Sequence, residues 1–415
     1  MSTMSTIVLH RATLIDGTGG DPRTNSSVVT EDGIITAVGP ADSISIPRDT
    51  EVIDLDGMTL LPGLTDAHVH FGLLGLNHRH TLGPDDNLTT YVLDVVENME
   101  VALQEGFTTV RDAAGLDPAF AFAVERGLIN GPRVLPAGSP LSQTGGHGDS
   151  RGRYESAVPE SVPGILAAAE ICDGPDAVRA AARRQLRLGA TQIKVMGSGG
   201  VMSPTDKLES VQFSVEEITA AVQEAESVGT YVMAHCHTPA SISSCLEAGV
   251  RSIEHGSILD EPVAARMAKQ GAYMVPTLVV MDVLVRDSEA QGVSEENMIK
   301  LSKIQNQMPV SVELASESGI NVGSGSDLLG KRQTHRGEEL SIKSKLLGPM
   351  EAIVSATSTN AKLFRLENTV GVVREGMAAD MVAIAGDPLT DLDLFTDPGN
   401  VRMVIKGGRI VKDIR

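Results

Sequence analysis

In the run Leu60-Leu61-Pro62-Gly63-Leu64-Thr65-Asp66-Ala67-His68-Val69-His70-Phe71-Gly72, an apolar stretch ends in two histidines one residue apart. Residues i and i+2 of an extended strand project to the same face, so His68 and His70 can chelate one metal ion. Neutral imidazoles at that spacing suit zinc or another borderline divalent ion, and a glycine just after them leaves room for substrate. Taken alone, the pair reads equally well as polar residues at a loop mouth. Four further residues of ligand type follow short β-prone runs: Lys194 in Gln192-Ile193-Lys194-Val195, His235 in Met233-Ala234-His235-Cys236-His237, His255 in Ile253-Glu254-His255-Gly256, and Asp327 in Gly323-Ser324-Gly325-Ser326-Asp327. Each alone has an ordinary alternative: a surface lysine, a hydrogen-bonded structural histidine, a helix N-cap aspartate. Their joint placement at strand ends favours one metal-assisted site.

Positioning these residues together requires a repeating scaffold, and the central sequence alternates strands with helices. Helical spacing at Tyr91–Gln104 gives way to a strand at Phe107–Val110; Pro118–Arg126 leads to Arg133–Ala137, and Asp176–Leu188 to Thr191–Val195. Ser214-Val215-Glu216-Glu217 is a capping box opening a helix before Thr230–Ala234. Later units place strands at Arg251–Ile253, Ala272–Val275 and Ile320–Gly323, with a last helix near Met350–Lys362. Eight β/α units over about 300 residues predict the α/β class and a closed (β/α)8 TIM-like barrel, whose chemistry lies at the C-terminal mouth. Short strands with turns from Ile7 to about Thr59, and again at Met381–Ile384 and Val401–Val411, predict a small β-sandwich built from both termini. The expected domains are 1–59 with 367–415 (β-sandwich) and 60–366 (barrel).

The 415 residues are 41% hydrophobic, enough for sizeable cores, and carry a net charge of −20, which argues against nucleic acid or anionic membrane as a partner. Three cysteines, Cys172, Cys236 and Cys245, have no zinc-finger spacing and no even framework, so a reducing compartment is expected. Cys236 should alternate away from His235 into packing. The N-terminal Ile7-Val8-Leu9 run is too short for a signal h-region, and no apolar run approaches the ~20 residues of a membrane span; a cytoplasmic location is the default expectation.

The His-x-His pair, the strand-four lysine, the strand-five and strand-six histidines and the strand-eight aspartate resemble the binuclear type of the amidohydrolase superfamily, over almost the whole chain. Pro62-Gly63 and Gly371–Asp380 are similar to the family's flanks. Thr144-Gly145-Gly146-His147-Gly148 and Lys194-Val195-Met196-Gly197-Ser198-Gly199-Gly200 resemble the branch of Xaa-Pro dipeptidase-like carboxypeptidases and imidazolonepropionase-related enzymes. The resemblance implies two divalent metal ions, zinc by preference: His68, His70 and Asp327 on one, His235 and His255 on the other, and Lys194 bridging as a carbamate formed from CO2. It further implies that a metal-bridging hydroxide attacks the carbonyl while Asp327 moves the proton to the leaving amine.

Substrate choice then falls to other polar groups. His147 is a candidate for a substrate carboxylate or the developing oxyanion, with loop anchoring as its alternative; Tyr231 is a second candidate, with a core role as its alternative. His237 should share the His235 side. Arg151 and Arg153 are more simply solvated, and His78, His80, Arg111 and Asp112 take no assigned role. The branch implies a small-molecule amide or peptide substrate with an amino-acid leaving group, as in a dipeptidase, carboxypeptidase or N-acyl amino acid hydrolase, a class that extends to ochratoxin-type amides. Hydrolysis of a cyclic amide, carbamate or urea is an alternative, and a non-enzymatic binding protein on the same barrel is another. A homo-oligomer is expected for a barrel enzyme of this size.

Overall fold

The structure, a computed structural model, describes residues 6–46, 48, 50–75, 87–203, 205–288 and 293–415. His78 and His80 lie outside the described residues. The chain forms two compact units: Met1–Asp66 with Glu100–Val110 and Thr334–Arg415, and Ala67–Met99 with Arg111–Gln333.

The first unit carries an eight-stranded sheet that both ends of the chain build. Met58–Pro62 pairs antiparallel with Met381–Ala385, placing Leu60 opposite Ala383, and parallel with Ile7–Leu14 on its other side. Apolar side chains from both segments, including Leu9, Leu14, Val28, Leu60, Met381 and Met403, are fully buried in one cluster, the β-sandwich core. The sequence splits Ile7–Leu9 from Thr13–Ile15, whereas the structure runs one strand, Ile7–Leu14, through a register shift. Arg11 there sits at φ 65°, a local irregularity that looks like a break in the polar pattern. Lys406 pairs with Arg409 across Gly407 and Gly408, both at positive φ, the turn expected from that tetrapeptide.

Glu105 in this unit is 6% exposed, with the Arg336 guanidinium 4.0 Å away. Burial pushes its carboxyl from 4.5 up to about 7, and the Arg336 charge only partly counters this. Because the folded chain binds this proton more tightly than the unfolded chain, stability falls as pH rises from about 4.5 to about 7 and stays reduced above it. Glu105→Gln should therefore flatten that slope, raising stability at pH 8 relative to pH 5 by up to about 3 kcal/mol; urea unfolding at the two pH values measures it, and an unchanged slope would show that Glu105 does not set it.

The barrel strands are, in order, Leu64–Val69, Phe107–Asp112, Arg133–Leu135, Ile193–Met196, Val232–Cys236, Ser252–His255, Tyr273–Val275 and Asn321–Val322. The fourth to eighth pair in parallel succession, with Met196 beside His235 and Cys236 beside His255, so the ends carrying ligand-type residues align. The Ala67 N–H donates to Ser324 O at 2.8 Å and ties the first strand to the chain leaving the eighth. Helices start and stop where the sequence signals them: Ser214 caps Val215–Ser227 in a full capping box with Glu217, Asp260 caps Glu261–Gln270, and Gly189, Gly249 and Gly271 end helices at positive φ. Two helices escape the sequence reading. Leu278–Asp287 is Val-rich and lacks a side-chain cap, and Arg336–Leu347 begins after His335 at φ 77°, again without one. The last helix is interrupted by a π-helical turn at Ser355–Thr359. Among the described residues no helix is long and apolar enough to cross a membrane.

Candidate metal centre

The barrel mouth gathers side chains that the sequence scatters over most of its length. One cavity is lined by His68, His70, His147, Lys194, His235, His237, His255 and Asp327, eight of the nine residues singled out from sequence. His68 Nε2 lies 3.3 Å from His70 Nε2 and 3.5 Å from Asp327 Oδ1, and His70 Nε2 lies 3.1 Å from the same oxygen. The His235 and His255 rings stand 4.6 Å apart, and His255 is 5.1 Å from His68. Lys194, 1% exposed, lines the same cavity from the middle of the fourth strand.

The backbone is bent to make this convergence. Strand alternation alone would send Glu254 and His255 to opposite faces, yet His255 takes φ 68° and Asp327 φ 55°, left-handed conformations that non-glycine residues seldom adopt. Asp327 is held there by its N–H, which donates to His68 O at 2.7 Å. Such strain is typical of sites that the surrounding structure over-determines. Close approach also explains two glycines. A Cβ on Gly325 would lie 2.7 Å from the His68 Cβ, and one on Gly200 would overlap the His147 ring.

Hydrogen bonds to the ring nitrogens leave the others available. His70 Nδ1 donates to Ala114 O at 2.9 Å, and His255 Nδ1 meets Thr277 Oγ1 at 2.8 Å, so Nε2 of each can present a lone pair. His235 Nε2 instead donates to Gly199 O at 3.2 Å, which leaves Nδ1. Burial lowers His68 to about 4 and His237 to about 3 and takes His235 and His255 well below the ordinary value, whereas at His70 the Asp327 carboxylate outweighs burial and raises the imidazole. Burial also lowers Lys194 to about 8 despite Glu254 and Asp327 nearby. Burial would raise Asp327, but His68, His70 and His255 together hold it ionised. Imidazoles, an accessible amine and an anionic carboxylate are a donor set that fits divalent cations, and His68, His70 and Asp327 offer ligand atoms within 4.8 Å of one another.

Tyr231 requires a correction as a substrate binder. It precedes Val232–Cys236, so it lies at the opposite end of that strand from His235, and it does not line the cavity. Its ring has the Arg111 and Arg251 guanidinium groups 6.0 and 5.7 Å from its centre, a core position. Arg151 pairs with Asp149 at 2.7 Å. Cys236 does turn away into packing, 3.3 Å from the Cys245 sulfur. Residues that the sequence reading passed over are Glu254, which meets His68 Nδ1 at 2.7 Å, and Ser203 and Gln212, which hold His147. A charged Glu254 inside a run of strand residues was the available signal. Val280, Met281 and Leu284 of the apolar wall come from the helix Leu278–Asp287.

A barrel with this arrangement at its mouth defines a class, and the comparisons agree: the chain belongs to the amidohydrolase family, whose model matches residues 59–411. It is accordingly a hydrolase of amide bonds. Among curated relatives, ochratoxinase of Aspergillus niger is 34% identical over 98% of this chain and 86% of its own, and the solved structure of that enzyme superposes with a TM-score of 0.84 at 32% identity, covering 99% and 96% of the two chains. A prolidase solved with N-methylphosphonate-L-proline has a TM-score of 0.93 at 38% identity, covering 99% of this chain and 100% of its own. A Xaa-Pro dipeptidase with methionine in its active site has a TM-score of 0.87 at 29% identity, covering 98% and 100%.

Proposed function

We propose that this chain hydrolyses amides whose leaving group is an amino acid, as a dipeptidase, carboxypeptidase or N-acyl amino acid hydrolase, ochratoxin-type amides included. The observation that carries the reading is the cavity itself: buried histidines, Lys194 and Asp327 beside an apolar wall that includes Leu73, Met281 and Leu284, with His147 and His237 as further polar groups. Similarity to ochratoxinase, a prolidase and a Xaa-Pro dipeptidase supports the same class.

In this reading His68, His70 and Asp327 would hold one divalent cation and His235 and His255 a second, with Lys194, as a carbamate, completing the donor set; zinc suits these donors. The cations supply Lewis acidity and acidify water. Asp327, ionised and next to His70, accepts the proton of the attacking water; as the C–N bond breaks it returns that proton to the leaving amine. The apolar wall excludes bulk water and accommodates the substrate's apolar parts. Residues 60–366 act as the hydrolase domain, 1–59 and 367–415 as the small β-sandwich, in a homo-oligomer.

His147 stacks on His235 with ring centres 4.2 Å apart, and its Nδ1 meets Ser203 Oγ at 2.9 Å while its N–H donates to Gln212 at 2.8 Å. So held, it presents Nε2 to a substrate carboxylate or the carbonyl oxygen as charge develops. His147→Ala should lower kcat/KM about 10–100-fold, the worth of a hydrogen bond to a charged group, with the metal content unchanged. Steady-state kinetics on a dipeptide and N-acyl amino acid panel tests both points. No turnover of any member, against turnover of a cyclic amide, would overturn the assignment.

A further inference from the structure

Behind the cavity lies a buried polar chain that the reaction above does not use. Arg111 is fully buried; its Nη2 donates to both Glu254 carboxylate oxygens at 2.8 and 2.9 Å, its Nε to Ala67 O at 2.7 Å and its Nη1 to Ser252 Oγ at 3.2 Å. Ser252 Oγ in turn donates to Glu254 Oε1 at 2.6 Å. Glu254 is fully buried as well, and Oε2 meets His68 Nδ1 at 2.7 Å. An unpaired carboxylate or guanidinium at such a depth is strongly destabilising, so each member needs the others. The chain meets the cavity at His68.

The backing groups differ around the centre. His68 Nδ1 faces a carboxylate, His70 Nδ1 a backbone carbonyl and His255 Nδ1 a hydroxyl. A carboxylate is the strongest acceptor of the three: it fixes the tautomer with the proton on Nδ1 and increases the basicity of Nε2. We propose that Glu254, clamped by Arg111, is a positioning residue that locks His68 with Nε2 toward the centre and makes the His68, His70 and Asp327 side the tighter of two metal sites. This rests on the metal centre proposed above. The guanidinium prevents the carboxylate from swinging to any other partner, and the tie to Ala67 O, one residue from His68, sets the ring's height on the strand.

The test is a zinc titration of the full chain against graded chelator, followed by ring-nitrogen NMR of 15N-histidine-labelled protein. In the native chain the two zinc equivalents should leave at chelator activities at least about tenfold apart, with the His68 signals changing in the later step. Glu254→Gln should weaken the tighter site about 10–100-fold and leave the looser one in place, with Glu254→Asp intermediate because the charge is kept. A circular dichroism melt of the zinc-free form checks that the variant folds; should it not, the order of release in the native chain still decides. Release of the His68-bound zinc first, simultaneous release of both, or unchanged affinity in folded Glu254→Gln overturns the proposal. A native chain that binds no zinc removes the metal centre itself, a different failure from two sites of equal strength.

Discussion

Lys194→Ala should hold at most one zinc equivalent per chain where the native protein holds two, and its amide hydrolysis should fall by about 10³-fold or more. The expectation follows from where the lysine is. It lies in the fourth barrel strand, 1% exposed, and lines a cavity shared with six histidines and Asp327. A permanent ammonium there would repel cations, but burial lowers the amine to about 8, so the neutral form is readily reached near neutral pH. The free amine can add to CO2: an N–C bond forms, one proton leaves, and the side chain becomes an anionic oxygen donor. Elemental analysis of native and variant protein, purified identically, measures the first point. Two equivalents in both would show that this lysine is not a ligand.

Asp327→Asn should reduce kcat by about 10³–10⁴-fold, the range spanned by loss of a proton-transfer group, with a smaller change in KM. Asparagine is the informative replacement because it keeps the side-chain shape and, like aspartate, tolerates the left-handed backbone at φ 55°. What it removes is the charge that His68, His70 and His255 stabilise against burial. Metal content must be measured alongside the rate, since a carboxylate 3.1 Å from His70 Nε2 has a part in both. A variant that keeps its metals and its kcat would rule out Asp327 as the proton carrier.

The barrel was legible because its punctuation is strong. Glycines after helices, the Ser214 capping box and the regular spacing of strands are local signals, and each ligand-type residue lies in or shortly after a β-prone run. The helix Leu278–Asp287 was not legible, since a valine-rich run with no cap looks like a strand, and it supplies Val280, Met281 and Leu284 to the cavity's apolar wall. Glu254 was passed over for a related reason: alternation assigns it to the face opposite His255, and only the positive φ of His255 allows both to approach His68. Tyr231 was misplaced because a strand's polarity, not its membership, decides which end reaches the mouth. Arg111 and Asp66 show a similar limit. Their burial depends on partners far along the chain, which no local pattern encodes.

The hydrogen bond from the Asp327 N–H to His68 O joins positions near opposite ends of the barrel sequence. Contacts of such long separation cannot form until the intervening chain has ordered, because loop closure must precede them. The centre is thus completed at the seam of the ring, by the strand made last and the strand made first. In the proposed centre, metal capture on the Asp327 side becomes a reporter of finished folding: a chain stalled with seven strands in place has His68 and His70 but lacks the carboxylate that completes their side.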